Sequence, residues 1–366
     1  LFSFFLIFES PIVPLVPFGD FLQAKFSFSI EIFLSLLFKR LNMKKIFIFI
    51  AFFSVIVSCA NKAKQQTEDK KPVNVPIFNS DSAYHFVKTQ VDFGARVPNT
   101  EAHRQCAAYL SQTLKRFGAV VVEQRAVLTA FNGDKLNAVN IIGSFNPTST
   151  NRVLLFAHWD SRPWADNDPN PVNHKTPVMA ANDGASGVGV LLEMARQFSV
   201  QKPNVGVDII FFDAEDYGAP QDYTGNSEDA WCLGSQYWAE NPHVKGYSAR
   251  YGILLDMVGA PDATFYKEQV SMYYAADVVE KVWSAAAGLG FSNYFRNEEI
   301  GAITDDHLYV NKLAGIPSID IIQYRNEGQN SGFGHYWHTV NDTMENVDKN
   351  TLFAVGTTVM YVVYNE

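Results

Sequence analysis

Residues 208–216 read DIIFFDAED, an apolar run of the kind that builds a buried strand, closed by the adjacent acids Glu215 and Asp216. A strand buried among hydrocarbon cannot continue through two carboxylates, so it ends there. Both acids are then delivered to the carboxyl edge of a sheet, where open α/β sheets bind ligands. The arrangement recurs: the apolar run Val153–Ala157 is followed by His158, and Tyr251–Leu255 by Asp256. One acid after a strand is normally a solvated turn residue. Several, each closing a separate apolar run, restrict the chain to folds that gather strand ends in one crevice.

The remaining patterning agrees. Ser80 or Asp81 can cap a helix through Val91, and Thr100 a second one with Ala107, Leu110, Leu114 and Phe117 on one face until Gly118 stops it. Strand-like runs follow at Ala119–Leu128 and Ala138–Gly143, and a helix carrying Val188, Leu191, Leu192 and Ala195 starts after the turn at Gly184–Gly187. Beyond the opening strand, Val270–Ala287, Asp306–Leu313 and Asp348–Tyr364 read as helices and Ile316–Ile322 as a strand. Strands alternating with helices predict an α/β three-layer sandwich around a largely parallel sheet. Nothing after residue 80 resembles an interdomain linker, so residues 80–366 are expected to form a single catalytic domain.

With 366 residues, 47% of them hydrophobic, the chain can bury a substantial core. Its formal net charge of -9, with no basic tract, argues against nucleic acid as a partner. Residues 1–42 are rich in Phe, Leu and Ile without the order of a signal or a spanning helix, and read as upstream translation. Met43 opens MKKIFIFIAFFSVIVSCAN, a basic start, an apolar centre and a small residue before Cys59. The apolar centre, roughly 13 residues, is short of the ~20 that a membrane span needs. The reading is an export signal over residues 43–59, with Ile56–Cys59 resembling a lipobox and Cys59 the lipid attachment site. That predicts a bacterial cell envelope or periplasmic protein tethered to a membrane by its lipid, with the polar, lysine-rich residues 60–79 as a flexible tether. In an oxidising compartment Cys106 and Cys232 are able to pair, and buried free thiols are an equal alternative.

Asn182-Asp183-Gly184 stands at the entry to the helix after strand Val153–Ala157, and a late loop carries Trp337-His338. With His158, Asp256, Glu215 and Asp216 these supply two imidazoles and four carboxylates, donors that suit Zn²⁺ at about 2.0–2.2 Å. Paired cysteines for a thiolate site are lacking.

The run His158–Asp160, the segments NDGASGVGVLLEMAR, FFDAEDYG, WCLGSQYWA, LLDMVGA and ITDDHLYV, and YWHTVNDTMENVD resemble the zinc-dependent exopeptidase superfamily and, within it, glutaminyl cyclases of the animal type. The resemblance runs from about Asp92 to the C-terminus. It implies a twisted, mixed sheet flanked by helices, Asp183, Asp216 and His338 as metal ligands, and Glu215 as general acid/base. His158 and Asp256 match second-metal ligands of dinuclear aminopeptidases, positions that the cyclases keep while binding one zinc. Asp305 matches a catalytic hydrogen-bonding aspartate and Trp337 a pocket tryptophan, and both point to the cyclases. Three departures are evident: Asp216 replaces a glutamate, Asp320 replaces a histidine of the catalytic network, and the loop Tyr217–Ala230 differs. Trp231 is the candidate for an aromatic wall, with loop packing as the alternative.

The expected reaction is cyclisation of N-terminal glutamine in peptides or proteins to pyroglutamate with loss of ammonia. Glu215 would carry the proton, while Asp256 and Asp305 would share it or hold the leaving group. One zinc is expected for that reaction, two for the alternative, a dinuclear aminopeptidase. A third possibility, an inactive binding domain, conflicts with the complete set of ligands and base.

Overall fold

Strands β3 (Arg152–His158), β4 (Gly206–Phe212) and β5 (Gly252–Asp256) are buried along their whole lengths, which explains their nearly unbroken apolar sequences. Alternate residues serve two cores. Val153, Leu155 and Ala157 of β3 join Ile209 and Phe211 of β4 on one face; Leu154 and Phe156 join Ile210 and Phe212 on the other. The computed structural model describes residues 73–366 apart from 221, 228 and 326–331. Cys59, the signal over 43–59 and residues 1–42 lie outside the described residues, as does most of the 60–79 tether.

The main sheet has six strands in the order β1-β2-β4-β3-β5-β8, adding β1 (Val120–Thr129), β2 (Lys135–Phe145) and β8 (Ser318–Ile322). β3 pairs in parallel with β4 and β5, and β5 with β8, whereas β1–β2 and β2–β4 are antiparallel. The sheet is therefore mixed. Helix α1 (Ser80–Asp92) packs on α3 (Ala185–Val200), which covers one face of the sheet together with α2 (Glu101–Arg116) and a later helix, α5 (Gln269–Gly288), and the last helix, α7 (Lys349–Tyr364), joins the same core. The other face packs on Trp238 of α4 (Leu233–Glu240) and Val310 of α6 (Asp306–Ala314). Three layers result, as the alternation of strands and helices predicts.

The differences from the sequence reading have local causes. The first helix is capped by Asn79, whose side chain accepts the Ser82 N–H, so neither Ser80 nor Asp81 is the cap. Phe78 is buried and would collide with any side chain at Gly356, so the packed unit begins upstream of Ser80. A small parallel pair, β6 (Phe265–Glu268) and β7 (Phe295–Ile300), lies outside the expected pattern. Cys106 and Cys232 are buried free thiols, which removes the disulfide alternative.

Candidate active site

From β3 the chain crosses through α3 to β4, then returns past β3 to β5. This reversal opens a crevice at the carboxyl ends of parallel strands, the place where such sheets bind ligands. His158 is the last residue of β3 and Asp256 the last of β5; Glu215 and Asp216 follow β4 after a turn through Ala214, whose φ of 55° is left-handed. Asp183 precedes α3. Its neighbour Gly184 has no room for a side chain, because a Cβ there would lie 2.4 Å from the His158 ring.

Asp183 joins the set. His158 Nε2 lies 2.9 Å from Asp183 Oδ1 and 3.2 Å from Asp256 Oδ1. The other oxygen, Oδ2, is 3.6 Å from His338 Nε2, which is itself 3.2 Å from Asp216 Oδ1. Two buried ligand sets thus share Asp183: His158, Asp183 and Asp256, and Asp183, Asp216 and His338. Among the described residues Asp216 Oδ2 is buried without a hydrogen-bond partner, and Arg162 reaches only Oδ1, at 3.3 Å. An unpartnered carboxylate oxygen beside an imidazole nitrogen fits a zinc site. Burial, followed by the charge of Arg162, lowers the His338 pKa to about 3, so the ring is neutral and able to donate a lone pair.

The second row is built from residues that the sequence reading did not assign. Asp160 accepts the backbone N–H groups of Glu215 and Asp216, each at 3.1 Å, and fixes where both side chains start. Asp342 does the same for Asn182 and Asp183, at 2.8 and 3.1 Å. Asp213, the first acid after β4, faces inward: it accepts from Val139 and Ala214 N–H and lies 2.8 Å from His103 Nε2 of α2. Arg162 forms paired hydrogen bonds to Asp166 at 2.6 and 2.7 Å. Asp160 and Asp342 lie within the quoted motifs, but which amides they would accept depends on contacts far apart in sequence.

Asp183, Glu215, Asp216, Asp256, Asp305, Trp231, Trp337 and His338 all line one cavity of about 160 Å³. Its apolar wall adds Ile303, Ile322 and Phe333. Trp337 stacks on His338 with ring centres 3.8 Å apart, and Trp231 lies parallel to the same ring at 6.0 Å with the Arg162 guanidinium over it. Trp231 is therefore both cavity wall and packing for His338. Asp305 caps α6 through the Asp306 N–H.

Acids dominate the electrostatics. Burial, and then Asp305 and Asp216 against the opposing pull of His158, raises the Glu215 pKa well above the ordinary carboxyl value. Burial and Asp256 raise Asp305 likewise. Asp320 is buried with both carboxylate oxygens unpartnered among the described residues. The nearby imidazole is His307 of α6, whose Nδ1 is 3.9 Å from Asp320 Oδ2 and whose Nε2 is 2.9 Å from Glu268 Oε1.

A mixed sheet with helices on both faces, carrying buried His/Asp ligand sets at its carboxyl edge, is the zinc-exopeptidase type of fold. The model of peptidase family M28 matches residues 140–363, and the chain belongs to that family. Within this family the chain is similar to a solved structure described as glutaminyl cyclase from Tannerella forsythia. The two share 59% identity and a TM-score of 0.78 over 80% of this chain and 100% of that one. It is similar as well to a structure described as a leucine aminopeptidase precursor from Bacteroides thetaiotaomicron VPI-5482, with 57% identity and a TM-score of 0.78, covering 80% and 99%. The Bos taurus glutaminyl-peptide cyclotransferase is 28% identical over 243 residues, 58% of this chain and 62% of that protein. The match thus spans less than two thirds of that curated relative.

Proposed function

We propose that the protein is a zinc-dependent glutaminyl-peptide cyclotransferase, converting N-terminal glutamine to pyroglutamate with release of ammonia. The observation that carries this reading is that Asp305 shares Glu215's small, aromatic-walled cavity, beside the Asp183–Asp216–His338 ligand set. A cavity of about 160 Å³ suits one glutamine side chain. Asp183, Asp216 and His338 would hold the zinc, which when bound acts as a Lewis acid toward an amide carbonyl.

The chain's own groups do the rest. Trp337, Phe333 and Ile322 hold the glutamine side chain against the ligands and exclude water. The substrate α-nitrogen forms a bond to the γ-carbon, and the bond from that carbon to the amide nitrogen breaks. Glu215 accepts the proton that the α-amine loses and returns one to the departing ammonia, so no water is consumed. A carboxylate held above its ordinary pKa is a stronger base than an exposed one, which suits Glu215 to taking the proton of the α-amine and keeping it until the ammonia departs. Asp305, whose carboxyl is held above its ordinary pKa by burial and Asp256, steadies the leaving nitrogen, while Asp256 keeps His158 oriented.

The second reading is a dinuclear aminopeptidase, favoured by Asp183 presenting one oxygen to each ligand set. A Gln-peptide and an aminoacyl chromogenic substrate, assayed in parallel on one sample with its zinc counted, separate the two. One zinc with ammonia released supports the cyclase; two with a free amino acid released support the peptidase. Glu215→Gln is expected to lose about 10²–10⁴-fold in kcat for cyclisation. Full activity in that variant would remove Glu215 from its role.

Export and lipid anchoring at Cys59 belong to the same proposal, supported by the basic, apolar and small-residue order of Met43–Cys59. Substrates would then be secreted peptides whose new N-termini expose glutamine. Cys59→Ala should move the protein from the membrane fraction to the soluble fraction.

A further inference from the structure

The Glu215 backbone is pinned at both ends of its residue, whereas its side chain has few restraints. Its N–H donates to Asp160, and its carbonyl accepts the N–H of Cys232 at 3.0 Å. Around the carboxylate stand other acids, Asp305 and Asp216, which repel it. Among the described residues one hydrogen bond reaches it, from Cys232 Sγ to Oε1 at 3.2 Å. His158 Nδ1 comes no nearer than 4.0 Å to Oε2.

Cys232 is itself held through its backbone. It occupies the left-handed region at φ 58° just before α4, and its carbonyl accepts from Gln236 N–H and the Ser235 hydroxyl, each at 3.0 Å. The next residue, Leu233, donates its N–H to Ala214 at 3.1 Å, so the start of α4 is laced to the turn that carries Glu215. Gly234 makes that approach possible, because a Cβ there would lie 2.1 Å from the Asp213 carbonyl oxygen. Burial and then Glu215 push the Cys232 pKa well up, which keeps the sulfur a thiol and therefore a donor.

We propose that Cys232 is a positioning residue for the proton carrier: its thiol holds Glu215 Oε1 and leaves Oε2 to meet the substrate. The inference rests on the reading of Glu215 given above. A flexible acid among like charges samples several rotamers, and small misplacements of a reacting group cost rate more than binding. A hydroxyl at the same place can donate the same bond; a methyl group cannot.

The test compares Cys232→Ser, Cys232→Ala and, as the control at the other buried thiol, Cys106→Ala. Kinetics on a Gln-peptide are measured together with zinc content and Tm. Cys232→Ala should lose roughly tenfold in kcat with KM and zinc content unchanged, while Cys232→Ser keeps kcat within about twofold. An independent readout is the infrared S–H stretching band in the wild-type protein, assigned through its loss in Cys232→Ala. It should lie lower than the Cys106 band and move when Glu215 is replaced by Ala. Unchanged kcat in Cys232→Ala, or a Cys232 band coinciding with that of Cys106, overturns the proposal. Wild-type protein that releases no ammonia from the Gln-peptide would refute the cyclase reading instead, while the infrared band still decides whether the thiol bonds the carboxylate.

Discussion

At the scale of single residues, two adjacent acids with nearly the same chemistry receive different work from their surroundings. Asp216 has His338 on one oxygen and, among the described residues, no hydrogen-bond partner on the other; Glu215 faces the cavity with a thiol behind it. Asp306, next to Asp305, is a third case. It is buried, its pKa is pushed from 3.8 up to about 7, and burial is the main cause. The folded protein therefore holds a proton that the unfolded chain releases above its lower pKa. That contribution to stability is complete below pH 3.8 and lost as the pH rises through about 7. In metal-free protein, Asp306→Asn should raise Tm relative to wild type at about pH 8 and not at about pH 4. Parallel melting curves at the two pH values would contradict this. Glu215, Asp216 and His158 were legible because each closes an apolar run. Asp160, Asp342 and Cys232 were not, since what they hold is fixed by bonds to amides or carboxylates far away in sequence.

At the scale of elements, long apolar patterns identified themselves and short polar ones did not. The helix α4 begins at a left-handed residue with no side-chain cap, and β7 (FRNEEI) is largely exposed, so neither has a start signal or an apolar face to betray it. The site depends most on one crossing. Helix α3 passes so close to β5 that a Cβ at Gly187 would lie 2.0 Å from the Leu255 carbonyl oxygen. Asp183 just before α3 and Asp256 at the end of β5 are set by this contact. Gly187→Ala should cost about 1–3 kcal/mol or more, since backbone rather than a flexible side chain must move. Zinc affinity should fall with it, measured by competition with a chromogenic chelator; a variant with wild-type Tm would mean that the crossing has slack.

At the scale of the whole molecule, the residues proposed to hold the metal come from the ends of β3, β4 and β5, the entry to α3 and the loop before α7. A metal joining such segments binds the folded chain and not the unfolded one, and adds about 2.7 kcal/mol of apparent stability at a free concentration of 100 times its Kd. Chelation should therefore lower Tm, and readdition of zinc should restore it together with activity. An unchanged Tm would place the metal outside the described ligand sets. The hydrogen bond from the Asn182 N–H to the Asp342 carboxylate spans 160 residues. Contacts of such separation form late, after loop closure has been paid for elsewhere. A chain that has only partly folded therefore has no place to hold the metal. Refolding followed by rapid mixing should show zinc uptake only in the slowest phase, which makes metal capture a timer for the completion of the fold.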